Sequence, residues 1–225
     1  MTPAQQTLQI LEKTGAIITE SHFVYTSGKH GSVYIRKDKL YPYTHLTSRI
    51  CNMIAKQVVK WRPEIVVGPS VGGIILSQWV AYHLSNLSKK EVLSVFTEKD
   101  YDDVQKFDRP QMFKRGYDQL VKGKRVLVVE DLTTTGASIK KVVEKVREAK
   151  GKVVGISVLL NRDPKEVNSQ RMGTKFHSLS VFKAEAYEEK DCPFCKKNIP
   201  INTVVGHGKE FLAKMNNPRP YGRGF

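Results

Sequence analysis

No run of about eighteen apolar residues occurs anywhere in the 225 residues of this chain, so it carries no candidate helix for crossing a membrane. Its opening segment, MTPAQQTLQILEKTGAI, lacks the basic stretch and apolar core of a secretory signal, and the expected location is the cytoplasm. Cysteine is scarce. Cys51, Cys192 and Cys195 are too few for a disulfide scaffold and suit a reducing compartment. Acidic residues are outnumbered 22 to 37 by lysine and arginine, giving a net charge of +15, and such an excess favours polyanionic ligands. Nucleic acid is not the expected partner: the lysines are scattered, and neither zinc-finger spacing nor the aromatic motif of an RNA reader is present. Internal repeats are absent as well. With 40% hydrophobic and 26% charged residues the chain can bury one α/β core, read as a single domain over 1–210 followed by a tail over 211–225 that ends in PRPYGRGF.

What the chain does have is VLVVEDLTTTGAS at 126–138. Val126 to Val129 form a short apolar run of the kind buried on both faces of a parallel sheet. Ile139, Val142, Val143 and Val146 then recur at helical spacing, Gly151 closes the segment, and Val153 to Leu160 make a second apolar run. The unit reads as strand, loop, helix, strand. Its loop should lie at the carboxyl end of a sheet, where the amides that begin the helix favour an anion such as phosphate. Thr133, Thr134, Thr135 and Ser138 add hydroxyl donors, and Gly136 permits a close backbone approach. The loop has neither the Gly-x-x-x-x-Gly-Lys-Ser/Thr pattern of an ATPase nor the Gly-x-Gly-x-x-Gly of a dinucleotide fold. Glu130 and Asp131 would repel phosphate, so they need hydroxyl groups or a metal ion to face, and a ribose diol meets that need. The bland alternative is an ordinary strand-to-helix turn with acidic capping residues.

At these residues the chain resembles the type I phosphoribosyltransferases, whose signature places two acidic residues between a hydrophobic strand and a Thr/Gly-rich loop. The resemblance implies that Glu130 and Asp131 hold the ribose hydroxyls of phosphoribosyl pyrophosphate (PRPP), and that Leu132, Thr133, Thr134, Thr135, Gly136, Ala137 and Ser138 wrap its 5′-phosphate. It also implies a mostly parallel central sheet flanked by helices, a small amino-terminal hood over 1–43 and a mobile lid.

Three further segments resemble the orotate branch of that family. FVYTSGKHGSVYI at 23–35 is similar to the segment that covers the base, which places Tyr34 and Ile35 near orotate. VVGPSVGGI at 66–74 resembles the pyrophosphate loop, with Ser70, Val71 and Gly72 as its contacts. Arg162 stands where orotate enzymes have an arginine paired with the orotate carboxylate, and its planar fork suits a planar carboxylate. Thr134 is then the matching hydroxyl on the base side. Where some orotate enzymes carry a loop lysine this chain has Gly72, so that charge must come from elsewhere or from backbone amides.

The stretch from Asp100 to Arg115 has mixed charge, a proline and no sustained apolar period, which predicts a long connection, and 97–117 is the expected lid. The resemblance places Lys99 as the catalytic-loop lysine beside Asp131 as the second catalytic residue, with Arg115 a further cation for the diphosphate; Glu98, Gly116 and Tyr117 complete that pattern. A solvated hairpin with ordinary salt bridges is the alternative. The implied cofactor is Mg²⁺ held by PRPP with no direct protein ligand, and the implied assembly is a homodimer whose lid reaches the partner's site. A purine phosphoribosyltransferase and a non-catalytic phosphoribosyl-binding regulator are the competing functions.

Cys192 and Cys195 form a lone Cys-Pro-Phe-Cys, two of the four ligands that zinc requires, with His207 or a second subunit as sources of the others. Elsewhere the pattern predicts helices over 4–14, 44–61 and 72–84, and strands over 65–67 and 92–96.

Overall fold

The computed structural model describes residues 1–25, 27–100 and 110–216, and the chain divides into two units, 1–14 with 37–183 and 15–36 with 184–225. The smaller unit does not follow the expected hood of 1–43. Its amino-terminal half supplies β1 (Ile17–Ile18) paired antiparallel with β4 (Tyr34–Ile35), and β2 (Phe23–Val24) paired with β3 (His30–Gly31). Its carboxyl-terminal half supplies α7 (Pro193–Lys196) and α8 (Gly208–Asn216), so 211–216 are helical rather than a loose tail, and 217–225 lie outside the described residues.

In the larger unit, α1 (Pro3–Lys13) starts on a capping box between Thr2 and Gln5. Ile50, Ile54 and Val58 make the buried stripe of α2 (Thr44–Val58), which gives way to a 3₁₀ turn at 59–61 before Pro63. Five strands are parallel: β5 (Ile65–Pro69), β6 (Leu93–Lys99), β8 (Arg125–Thr133), β9 (Lys152–Asn161) and β10 (Phe176–Val181). β7 (Gln111–Met112) closes one edge antiparallel to β6, and the order is β10-β9-β8-β5-β6-β7.

Helices cover both faces of the sheet. Ile65, Val67, Val126, Val128, Ile156 and Val158 pack with Ile139, Val142 and Val146 of α5 (Ala137–Glu148). The alternate strand residues Val66, Leu127 and Val129 are equally buried, and α3 (Gly72–Ser88) packs on β5, β6 and β8 with α2 beside it against β9 and β10. Burial on both faces is why these strands read as continuous apolar runs.

The connections decide where a ligand can go. From β5 the chain crosses through α3 to β6, and from β8 it crosses through α5 to β9, on opposite sides of the β5–β8 pair. The carboxyl ends of β5 and β8 therefore flank a topological switch point, the crevice where open α/β sheets bind ligands. Among the described residues no helix is long and apolar enough to cross a membrane.

Candidate functional site

Both helices at the switch point start where the sequence placed anion loops. The chain after β5 turns through Ser70 and exposed Val71 into α3, with a cis peptide between them. The chain after β8 turns through Thr134, Thr135 and Gly136 into α5, leaving Thr134, Thr135, Ala137 and Ser138 exposed at the helix start. Gly136 has φ +75°, and a Cβ there would lie 2.2 Å from the Met172 Cε. The backbone conformation is what favours glycine here, since the Met172 methyl ends a flexible side chain that can turn aside.

The two carboxylates are not in the loop. β8 runs on through Thr133, pairing Glu130 with Val158 and Thr133 with Asn161, so Glu130 and Asp131 are buried strand residues. The Asp131 side chain is 1% exposed; its Oδ1 accepts from Lys37 Nζ at 2.5 Å and its Oδ2 from the Tyr41 hydroxyl at 2.7 Å. Burial, with Asp131 beside it, pushes the Tyr41 hydroxyl far above its usual range, so it stays a donor. Gly72 packs directly onto this pair, where a Cβ would lie 1.9 Å from Asp131 Oδ2 and 2.5 Å from the Tyr41 hydroxyl oxygen. A side chain cannot fit there, which explains the glycine. Lys37, which neither motif nor spacing singled out, puts a cation beside this glycine through its bond to Asp131.

Burial and the charge of Asp131 push the Glu130 carboxyl up to about 8, against an opposing effect of Lys37. Because the folded value lies above the ordinary 4.5, folding takes up a proton between those two values. That stabilisation is full below the unfolded value and is gone once pH has risen through the folded one. Glu130→Gln is therefore expected to melt progressively higher than the unsubstituted chain as pH is raised from about 5 to 9, by on the order of a few kcal/mol at the alkaline end. Melting curves across that range check it; a gap that does not widen with pH contradicts the buried-carboxyl account.

Arg162 follows the last residue of β9, and its backbone N–H donates to the Thr133 carbonyl at 2.9 Å. This ties Arg162 to the residue that precedes Thr134. Leu132 is half-buried on β8.

The expected lid is anchored as a hairpin at its described ends: Glu98 pairs with Met112 and Lys99 with Gln111, and Thr97 donates to the Gln111 side chain at 2.7 Å. The rest of the proposed lid, 101–109, lies outside the described residues. Arg115 sits at φ +64°, 3.1 Å from Glu98 and over the Phe96 ring, so it is held in the salt-bridged hairpin that was the alternative reading. Lys99 is exposed at the end of β6. Tyr34 and Ile35, the expected base-covering residues, form β4 of the smaller unit, paired with Ile18 and Ile17.

A groove at the opposite, amino ends of the strands, lined by Arg62, Glu64, Glu91, Lys124 and Arg125, carries mixed charge and none of the site residues. For Mg²⁺, both Asp131 oxygens already accept from Lys37 and Tyr41, and the described carboxylates form no ion-binding group.

A family model described as the phosphoribosyl transferase domain matches residues 43–192. The chain is similar to the orotate phosphoribosyltransferase of Thermotoga maritima, 37% identical over 200 residues, 89% of this chain and 97% of that protein. The orotate phosphoribosyltransferase of Caldanaerobacter subterraneus is 34% identical over 197 residues, 88% and 94% of the two chains. Among solved structures, the orotate phosphoribosyltransferase from Aeropyrum pernix has a TM-score of 0.62 at 26% identity, over 77% of this chain and 92% of that one.

Proposed function

This chain belongs to the phosphoribosyltransferase family, in its orotate branch, and we propose that it joins orotate to the phosphoribosyl group of PRPP, releasing pyrophosphate, in pyrimidine nucleotide synthesis. The observation that carries the assignment of parts is the contact of Gly72 with Asp131 at the β5–β8 switch point. It sets a diol-binding carboxylate between two helix starts, one for each phosphate-bearing end of PRPP. The α5 start and the Thr133–Ser138 hydroxyls take the 5′-phosphate. Backbone donors of 70–73 at the α3 start take the pyrophosphate. Asp131 and Glu130 take the ribose hydroxyls; each carboxylate oxygen has a second lone pair, so Asp131 can accept from the sugar while holding Lys37 and Tyr41.

As the C1–oxygen bond breaks, its electron pair leaves with pyrophosphate, positive charge grows on the ribose ring, and orotate N1 forms the new bond while its proton passes to the departing pyrophosphate or to water. Cations near the leaving group stabilise that transition state. Lys37, Lys99 and Arg115 are the protein's candidates, and Mg²⁺ carried by the diphosphate adds charge neutralisation. Arg162 and Thr134 hold the orotate carboxylate side. A homodimer with the 97–117 lid closing on the partner's site, in the cytoplasm, completes the reading; lid closure would shield the charged ring from water.

The test is to incubate the protein with PRPP, Mg²⁺ and orotate, uracil, adenine, guanine or hypoxanthine, and to follow pyrophosphate release. Turnover with orotate alone is expected. Turnover with a purine in its place, or with no base at all, overturns the assignment.

A further inference from the structure

The smaller unit holds a cluster that the transfer reaction does not use. His22, His30, Cys192 and Cys195 each aim one ligand atom at a common point, all within 4.8 Å of one another. The cysteines come from a turn into α7, where the Lys196 N–H donates to the Cys192 carbonyl. His22 precedes β2 and His30 lies in β3, and both are tied to the cysteine segment by backbone pairing: His30 exchanges hydrogen bonds with Tyr187, and the Asn202 N–H donates to the His22 carbonyl. His22, His30 and Cys192 are each at most 1% exposed.

The distances have a pattern. His22 Nε2 lies 2.9 Å from His30 Nδ1, 3.6 Å from Cys192 Sγ and 3.7 Å from Cys195 Sγ; Cys195 Sγ lies 3.3 Å from His30 Nδ1. Metal–nitrogen bonds of about 2.0 Å and metal–sulfur bonds of about 2.3 Å give a tetrahedron with edges of roughly 3.3 to 3.8 Å. The cluster is close to that size. The tautomer fits too. His22 Nδ1 is 2.8 Å from the Ile199 carbonyl, which only accepts, so Nδ1 carries the proton and Nε2 presents its lone pair inward. No other partner is needed for His30 Nδ1, and the His30 ring stands edge-on to Phe211.

We propose that His22, His30, Cys192 and Cys195 bind one structural Zn²⁺ that clasps the smaller unit. All four positions of the ion are filled by protein, so the site is closed, without the open place that catalysis at zinc requires. The need is physical: two pairs of two-residue strands and two short helices bury little apolar surface, and units this small depend on staples. The cysteines are free thiols, so no disulfide supplies one. His207, the expected further ligand, is not among the four, and no second subunit is required.

The test uses the untagged full-length chain, kept reduced. Metal analysis is expected to return about one zinc per chain. Exchange for Co²⁺ should give the visible ligand-field bands of a tetrahedral site together with thiolate-to-cobalt charge transfer. Chelation should lower the melting temperature by about 5 to 10 °C. Cys195→Ser should abolish the charge-transfer contribution of one thiolate and weaken zinc retention. Protein from zinc-supplemented medium that contains no metal and gives no cobalt spectrum overturns the proposal, with no variant needed. So does a cobalt spectrum that Cys195→Ser leaves unchanged, or iron in place of zinc.

Discussion

Arg162→Ala is expected to lower kcat/KM for orotate by about 10²- to 10³-fold, the cost of leaving a desolvated carboxylate without its bidentate partner. Arg162 stands beside Thr133 at the end of β9 and is assigned to the base rather than to the sugar, so the KM for PRPP should change little. That split between the two substrates is the signature of a base-recognition residue. Arg162→Lys keeps the charge but loses the planar fork, and should fall between the two. Steady-state kinetics with each substrate varied in turn decide the matter: unchanged orotate kinetics in Arg162→Ala would falsify the placement of the base site.

Asp131→Asn is expected to lower turnover by about 10²-fold or more, since a misplaced ribose loses the alignment on which displacement depends. The same substitution turns an amide N–H₂ or a weaker oxygen toward the Lys37 ammonium, which now rests on the Asp131 carboxylate. Stability should respond far less than rate. Removing one partner of a buried ion pair is harmful when the survivor stays buried, but the Lys37 side chain is 47% exposed and can turn to water. A melting temperature within a few degrees of the unsubstituted chain, together with the lost turnover, is the expected outcome. A large drop in both would mean that Asp131 acts mainly as a structural pillar.

The parts of the fold that could be read in the sequence are those whose signals are local. Val126 to Val129, the helical recurrence of Ile139, Val142, Val143 and Val146, and the Thr/Gly-rich turn between them lie within a few residues of one another, and all three are as expected. The extent of β8 was not legible. Glu130, Asp131 and Thr133 are polar and look like loop, yet a strand that delivers side chains to a switch point has to carry polar residues at its carboxyl end. Lys37 and Tyr41 carry no motif; they meet Asp131 across 94 and 90 residues, and only the fold brings them there. The ligand set of the Cys-Pro-Phe-Cys turn was hidden for the same reason. His207 was the nearer histidine in sequence, whereas the backbone pairing of His30 with Tyr187 brings in the distant pair. The hood boundary also differs: α1 packs on β10 in the larger unit, so an amino-terminal position does not make a residue part of the smaller one.

The smaller unit is made from two stretches of chain that are far apart in synthesis. His30 and Cys195 are separated by 165 residues, and every strand of the central sheet lies between them. On the ribosome the hairpin bearing the histidines emerges first and must wait, without its carboxyl-terminal partner, while the whole sheet is made. Only when the last few dozen residues appear can the unit close. A chain cut short by a premature stop after β10 would keep every strand of the sheet but could never finish this unit.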